Sequence, residues 1–228
     1  MRYVIAVTAL MLFGSAAYSA DIVTMPTANQ LKAGQLDVAA YYLMLDFPAP
    51  QPQNVKYGTL YYGVTDAIEL DAHWADVDND KSSLVLVGSY KVLSETLKLP
   101  DLVVGVRNLA GTETTNNPAI SDDSGDRSFF VSAAKTYFVG EQMGAPPLVR
   151  VHLSFGTGDW TLLGEERHKG FFGGLQSLIT PKVGAIGLYD GQDLITGITY
   201  MPPNSGLTVK GGTYGKHQWV GVSYAKQL

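Results

Sequence analysis

The sequence of 228 residues carries a formal net charge of −5, with 16% charged residues, 25 glycines and no cysteine. An acidic chain lacks the concentrated Lys and Arg that phosphate binding needs, which argues against a nucleic-acid partner. Without cysteines the fold must be stable without disulfides, and a chain of this length can form a core in that way.

The first twenty residues have the features of a secretory signal peptide. Arg2 supplies the positive amino-terminal region, residues 4–13 the apolar core, and residues 17–19 a small-x-small cleavage motif. A retained membrane anchor is disfavoured because the apolar run is short and small residues follow it at once. We predict that this segment directs export and is cleaved before Ala20 or Asp21, and the loss of Arg2 leaves the mature chain with a net charge of −5 − 1 = −6.

Short segments of alternating polarity follow a lead-in at residues 21–35, which we predict to be periplasmic. Turns rich in Gly, Pro, Asn and Asp separate them, and none shows a convincing helical period. We predict strands at residues 36–45, 57–64, 67–75, 83–93, 102–109, 129–139, 148–155, 171–179, 183–189, 194–201, 207–212 and 218–225. The last five form an antiparallel meander with hardly an interruption.

The two faces of the predicted strands differ in polarity. In residues 67–75, for example, Ile68 and Leu70 alternate with Glu69 and Asp71. A soluble sandwich would give the same alternation. Aromatic residues, however, lie mostly near strand ends, where the interfacial girdles of a membrane barrel lie. No apolar run after the signal reaches about 18 residues, so a helical span is excluded on length.

These patterns predict an all-β fold, an up-and-down antiparallel transmembrane β-barrel of about 12 strands, with roughly 10 to 14 allowed. Residues 36–228 would form it in the bacterial outer membrane. The two longest predicted loops, residues 110–128 and 156–170, fall on the same, external side, as outer-membrane barrels require. The expected partners are outer-membrane lipid, the barrel-assembly machinery and periplasmic chaperones.

Alternation also predicts which charged side chains face the lumen, because a basic residue facing lipid near the midplane costs about 2 to 4 kcal/mol. The predicted lumen-lining residues are Glu69, Asp71, His73, Lys91, Arg107, Lys135, Arg150, His152 and Lys210. Both signs occur, so these side chains are expected to pair across a narrow lumen. The interior would then be a salt-bridged plug or a weakly selective polar pore.

Catalytic and metal-binding chemistry finds little support. His152 near Ser154 could belong to a triad, but no nucleophile elbow or other local signature accompanies it. The acidic stretches at residues 76–80 and 121–126 lack the sixth-position Gly and the distal Glu of a calcium loop. We predict a non-enzyme without catalytic residues, cofactor or resident metal, and weak divalent binding by the acidic loops stays open.

Several short stretches resemble a known family. They are Met25-Pro26-Thr27-Ala28 with Gly34, residues 62–70 (YGVTDAIEL), residues 172–175 (FGGL) and residues 188–193 (LYDGQD). They are similar to the opening, an early hairpin and the late hairpins of YjbH-like outer-membrane proteins associated with exopolysaccharide secretion. The resemblance implies a barrel that works with envelope export partners.

Three functions are therefore open. The first is a passive pore or the barrel component of an envelope or polysaccharide export system. The second is a structural envelope barrel whose lumen is closed by side chains, and the third is an outer-membrane lipid or ester hydrolase. Lumen composition separates the first two, because large inward residues can block a barrel of about twelve strands.

Overall fold

The computed structural model describes residues 25–46, 54–77, 81–110, 127–139, 148–162 and 165–228. Within these ranges the chain forms β1 (Gln35–Met44), β2 (Asn54–Gly63), β3 (Ile68–Val77), β4 (Lys81–Leu93), β5 (Asp101–Arg107), β6 (Ser128–Phe138), β7 (Leu148–Leu162), β8 (Glu165–Thr180), β9 (Val183–Tyr189), β10 (Leu194–Tyr200), β11 (Leu207–Tyr214) and β12 (His217–Gln227). No helix in the described ranges is long and apolar enough to cross a membrane.

The strands close into a barrel in which each pairs antiparallel with its neighbours in the chain. Closure comes from β1 and β12, with Gln35 opposite Gln227 and Met44 opposite Gln218. Each strand thus has a partner on both sides, and the sheet has no open edge. The predicted twelve-stranded antiparallel barrel is confirmed, and every predicted strand overlaps an observed one.

The predicted external loop at residues 156–170 is wrong. β7 and β8 extend into this range and pair there, with Thr157 opposite Lys169 and Leu162 opposite Glu165. The register shifts between Thr157 and Trp160, next to Gly158 with a φ of 69°. Gly158 therefore belongs to a β-bulge, where an extra residue needs the left-handed conformation.

Side chains alternate across most of the sheet, and the outward face is apolar. Along β1, Asp37, Ala39 and Tyr41 are buried, whereas Val38 and Tyr42 are exposed. Exposed large apolar side chains include Leu60, Leu70, Trp74, Leu84, Val104, Phe129, Val131, Val151, Leu153, Phe171, Leu175, Ile198, Val209, Val220 and Tyr224. Their distribution over the whole outer surface is the reverse of that in a water-soluble domain.

The inward face changes character along the barrel axis. We call the end where β1 begins and β12 ends the terminal end, and the opposite end the loop end. Buried inward side chains near the loop end are mostly apolar and form one cluster that includes Leu43, Val55, Tyr57, Phe172, Leu188, Ile195, Tyr214 and Trp219. Those nearer the terminal end are mostly polar and include Asp37, Glu69, Ser89, Asp101, Ser132, Arg150, Gln176, Thr208, Lys210 and Ser223.

The stretch before β1 lies inside the barrel, and we call residues 25–31 the inner segment. Met25 and Ala28 are fully buried and pack in the same cluster as the inward aromatic rings. The chain leaves the lumen beside β2, where a Cβ on Gly63 would lie 2.1 Å from the carbonyl oxygen of Lys32, so only glycine fits. Gly34, with a φ of 73°, then turns the chain into β1.

Candidate functional site

Main-chain atoms of the inner segment bind the barrel wall directly. The hydroxyls of Ser132 and Ser154 lie 3.4 and 3.3 Å from the carbonyl oxygen of Pro26. The two hydroxyls are also 2.8 Å apart, so one of them can donate to the other. The hydroxyl that accepts this bond can then donate to the carbonyl oxygen of Pro26. At the other end of the segment, the Leu31 amide donates to Glu69 Oε2 at 2.6 Å. The wall thus recognises one carbonyl and one N–H of the inner segment.

Two consecutive carboxamide side chains of the inner segment are also bound. Asn29 Nδ2 donates to Gln176 Oε1 at 3.2 Å, and Asn29 Oδ1 accepts from Arg150 Nε at 2.6 Å. Gln30 Nε2 donates to Ser89 Oγ at 2.7 Å. The amide of Asn29 is therefore matched as donor and as acceptor, a specificity that an aspartate or a leucine at this position would lack.

Arg150 connects the inner segment to the terminal end of the wall, and we call its cluster the Arg150 centre. Its Nη1 donates to Glu95 Oε2 at 2.7 Å and to Thr136 Oγ1 at 2.9 Å, and its Nη2 donates to Asp101 Oδ2 at 2.6 Å. With Asn29 on Nε, the guanidinium has partners on all three nitrogens. Such complete pairing is what makes a buried ionic group tolerable.

A second arginine lies near the loop end, and we call its cluster the Arg167 centre. Arg167 is fully buried, and its Nη1 lies 3.2 Å from Asp190 Oδ2 and 2.7 Å from Asp193 Oδ2. Its guanidinium lies 5.3 Å from the ring centroid of Tyr214, whose hydroxyl donates to Asp190. Asp190 also accepts from the amides of Gln192 and Asp193, which fixes the β9–β10 turn.

A histidine in the same region joins two turns at the rim. His217 Nδ1 accepts a hydrogen bond from the Asp46 amide at 2.9 Å. It lies beyond Val220, the last exposed apolar side chain of β12 towards this rim. Burial, and after it the charge of Lys216, lowers the pKa of His217 below its usual value. The neutral form that this acceptor needs is thereby favoured.

The structure places most of the predicted lumen-lining residues on the inward face. Buried there are Glu69, Asp71, His73, Arg107, Arg150, His152 and Lys210. Lys91 shares the inward face of β4 with Val87 and Ser89 and is half-buried near the terminal end. Lys210 Nζ lies 3.2 Å from the Tyr41 hydroxyl and 5.6 Å from the centroid of its ring.

Lys135 instead lies on the outward face of β6, opposite Val151. The inward positions of this strand are Ser128, Phe130, Ser132 and Ala134. Its Nζ bends to the terminal end and binds carbonyl oxygens of Thr96 and Leu99 in the β4–β5 turn. A long side chain near the rim can carry its charge out of the apolar band in this way, so the rule that charged strand residues face the lumen fails for Lys135.

Arg167 itself and the carboxylate partners of both arginines lie outside the predicted set of lumen-lining residues. Glu95 and Asp101 belong to a predicted turn, and Arg167 to a predicted loop. Their contacts span 55, 49 and 23 residues along the chain, so no local spacing indicates them. The one usable signal was the Asp190-Gly191-Gln192-Asp193 turn, whose first carboxylate is expected to cap its own backbone.

The residues considered for catalysis have other partners. Ser154 bonds to Ser132 and Pro26, His152 Nε2 lies 3.3 Å from Gln176 Oε1, and His73 Nδ1 lies 2.9 Å from the Tyr57 hydroxyl. Within the described ranges, no three His, Asp or Glu side chains could together hold a metal ion. Residues 78–80 and 121–126 of the acidic loops lie outside the described residues.

A small cavity lies between the inner segment and the wall. Its volume is about 20 Å³, and its lining includes Thr27, Asn29, Asp71, His73 and Arg107. A space of this size has room for roughly one water molecule. Packing of the segment against this part of the wall is therefore nearly complete.

The fold and interior define a small closed antiparallel β-barrel with a chain segment packed in its lumen. No family model matches the sequence, and no curated protein matches it. The solved structures similar to it include the following two. One is the COG4313 outer membrane channel from Pseudomonas putida F1, with 13% identity, 90% of this chain and 99% of that chain covered, and a TM-score of 0.40. The other is the N-terminal β-barrel domain of Pseudomonas aeruginosa OprF, with 12% identity, 86% and 100% coverage, and a TM-score of 0.26.

Proposed function

We propose that this protein is a passive outer-membrane pore that its own inner segment closes in the conformation described. The membrane location is supported by the apolar outward face, since lipid-exposed strands must satisfy their backbone within a closed sheet and present apolar side chains. The signal peptide predicted at residues 1–20 fits this location. The terminal end would face the periplasm and the loop end the exterior.

Closure is supported by the solvent exposure of the interior. Met25, Ala28, Val103, Ser132 and Ile195 are all inaccessible to solvent, although each lies within the barrel. A water-filled pore would leave the side chains along its path accessible. The lumen is therefore filled by the inner segment and by the apolar cluster of which Met25 and Ala28 are themselves members.

The location of the inner segment is the observation that carries the proposal. None of its residues forms part of a strand, so its withdrawal would leave all twelve strands paired. Polar groups hold it in the part of the lumen where the wall is polar. Once vacated, that part would be lined by groups that water can solvate, including Ser89, Ser132, Arg150 and Gln176.

Single-channel conductance in a planar bilayer tests this proposal. A charged side chain cannot be accommodated at Ala28, which has no accessible surface, so Ala28→Glu should displace the inner segment and conduct. Ala33→Glu is the matched control, because Ala33 is exposed at the rim. We expect current from Ala28→Glu and little from the wild type or Ala33→Glu. A wild-type chain that conducts as well as Ala28→Glu would overturn closure by the segment.

A structural envelope barrel without a pore is the second candidate. The apolar cluster near the loop end favours it, because Tyr57, Phe172, Leu188 and Trp219 pack there as in the core of a soluble domain. This candidate predicts that Ala28→Glu stays silent although the protein is folded in the bilayer.

A role in polysaccharide export is a finer proposal and rests on the short motifs that resemble YjbH-like proteins. Loss of secreted polysaccharide on deletion of the coding sequence, restored by the wild-type chain, would support it. Unchanged secretion would remove it. The hydrolase alternative has no support from the hydroxyl of Ser154, which bonds to Ser132 and Pro26.

A further inference from the structure

The wall around the inner segment presents a set of groups arranged for one kind of ligand. Five strands contribute, namely β3, β4, β6, β7 and β8, and the side chains are Glu69, Ser89, Ser132, Arg150, Ser154 and Gln176. Two hydroxyls meet a main-chain carbonyl, a carboxylate meets a main-chain N–H, and three side chains meet two adjacent carboxamides. A simple space-filling plug would not need this number of directed polar bonds.

The charges of the wall restrict the ligand further. Arg150 is already paired with Glu95 and Asp101, so a carboxylate in place of Asn29 would meet two carboxylates nearby. A cation there would meet the guanidinium. The site thus suits a neutral peptide, bound through its backbone and through two consecutive carboxamides.

We propose that the lumen holds a peptide-binding site which accepts such a peptide in trans, and that the inner segment is its intramolecular occupant. The inference rests on the proposed function in one respect, that the segment can leave. Attachment gives the segment an effective concentration of roughly millimolar, so an added peptide competes well only when the attached segment is weakened.

The test uses the full-length Ala28→Glu chain in detergent and a labelled peptide with the sequence of residues 25–31, its ends blocked. Fluorescence anisotropy measures binding, and bilayer conductance measures closure by the same peptide. We expect saturable binding and a fall in current. A peptide with leucine in place of Asn29 and Gln30 should bind at least about tenfold more weakly, because three hydrogen bonds to the wall are lost. Non-specific binding to apolar surface would favour this leucine peptide.

Wall variants test the site from the other side. Adding both Ser132→Ala and Ser154→Ala to the Ala28→Glu chain should weaken binding of the native peptide about tenfold, because neither hydroxyl that can donate to the Pro26 carbonyl remains. Ser223→Ala is the control, since Ser223 is equally buried but lies on β12. Two results would overturn the inference. One is equal affinity of the chain for the native and the leucine peptide. The other is equal affinity for the native peptide of the chain with Ser132→Ala and Ser154→Ala and the chain with Ser223→Ala.

The outcomes also separate the two proposals. A conducting Ala28→Glu chain that fails to bind the peptide contradicts the peptide site and leaves the pore intact. A chain that binds the peptide but never conducts supports the site and contradicts the pore. Absence of both contradicts both.

Discussion

The two arginine centres have similar chemistry but connect different parts of the molecule. Arg150 bonds to Glu95 and Asp101 and, through Nε, to Asn29 of the inner segment. The described bonds of the Arg167 centre join β8 to the β9–β10 turn and to β11, without a residue of the inner segment. The Arg150 centre therefore binds the barrel wall to the inner segment, whereas the Arg167 centre binds elements of the wall to one another.

This difference separates closure from stability. Breaking either centre should destabilise the barrel, because buried carboxylates lose their counter-ion. Only the Arg150 centre should also open the lumen, since only it binds the inner segment. Loss of the Arg150 centre should therefore lower stability and raise conductance. Loss of the Arg167 centre should lower stability without a change in conductance.

Replacement of Arg150 by methionine is expected to have the largest combined effect. Glu95 and Asp101 would lose their cation, and the free energy of unfolding should fall by about 3 kcal/mol, as for other broken buried pairs. The bond to Asn29 would also be lost, so conductance should rise. Urea unfolding of the folded barrel and bilayer recordings measure the two effects. Unchanged current would show that Arg150 does not hold the inner segment in the lumen.

Replacement of Arg167 by methionine should lower stability by a similar amount, about 3 kcal/mol, because Asp190 is 1% exposed and loses its cation. Conductance should stay at the wild-type level. The same two assays apply, with Arg150→Met as the comparison. A large current from Arg167→Met would mean that the loop end, and not the inner segment, closes the lumen.

Gly63 gives a test that adds no charge and removes no polar group. A methyl group at this position would lie 2.1 Å from the Lys32 carbonyl oxygen, so Gly63→Ala should push the segment away and cost about 1 to 3 kcal/mol. Gly58→Ala on the same strand is the control, because its Cβ meets the nearest atom at 3.5 Å. Heat-modifiable migration on a gel compares the two. Equal behaviour would argue against the described exit path of the segment.

The smallest expected effect is a pH dependence at His217. Its pKa is lowered in the folded state, so the folded chain binds fewer protons than the unfolded chain below the usual histidine pKa. Its contribution to stability is therefore complete above about pH 6.5 and is lost as the pH falls further. The melting temperature of the wild type should fall more between pH 7.5 and 5 than that of His217→Asn. Equal falls in melting temperature for the wild type and His217→Asn would show that His217 does not contribute to the pH dependence of stability.

The sequence predicts the barrel well because alternation, turn residues and strand length are local signals. It also predicts the direction of residues such as Glu69, Arg150 and Lys210, since each lies in phase with neighbours on a regular strand. Lys135 shows the limit, because a flexible side chain at a rim need not follow the charge rule. The β7–β8 hairpin shows another, because the β-bulge at Gly158 interrupts the local pattern although the strands stay paired beyond it.

The inner segment could not be predicted from such signals. Residues 25–31 have no periodicity, and their partners Glu69, Ser132 and Arg150 lie 38, 106 and 121 residues away. Burial of Met25 and Ala28 depends on the cavity that all twelve strands create together. Strand periodicity therefore predicts the barrel wall, but it does not predict which chain segment fills the lumen.

The central claim, that residues 25–31 occupy the lumen, is tested most directly by thiol accessibility. The chain has no cysteine, so Ala28→Cys and Ala33→Cys each provide a single label site. Ala28 is fully buried and Ala33 is exposed. A small water-soluble maleimide applied to the folded protein in vesicles should modify the cysteine at 33 rapidly and the cysteine at 28 at least a hundredfold more slowly, on the order expected for a group protected by a few kcal/mol. Equal rates at the two positions would contradict the account.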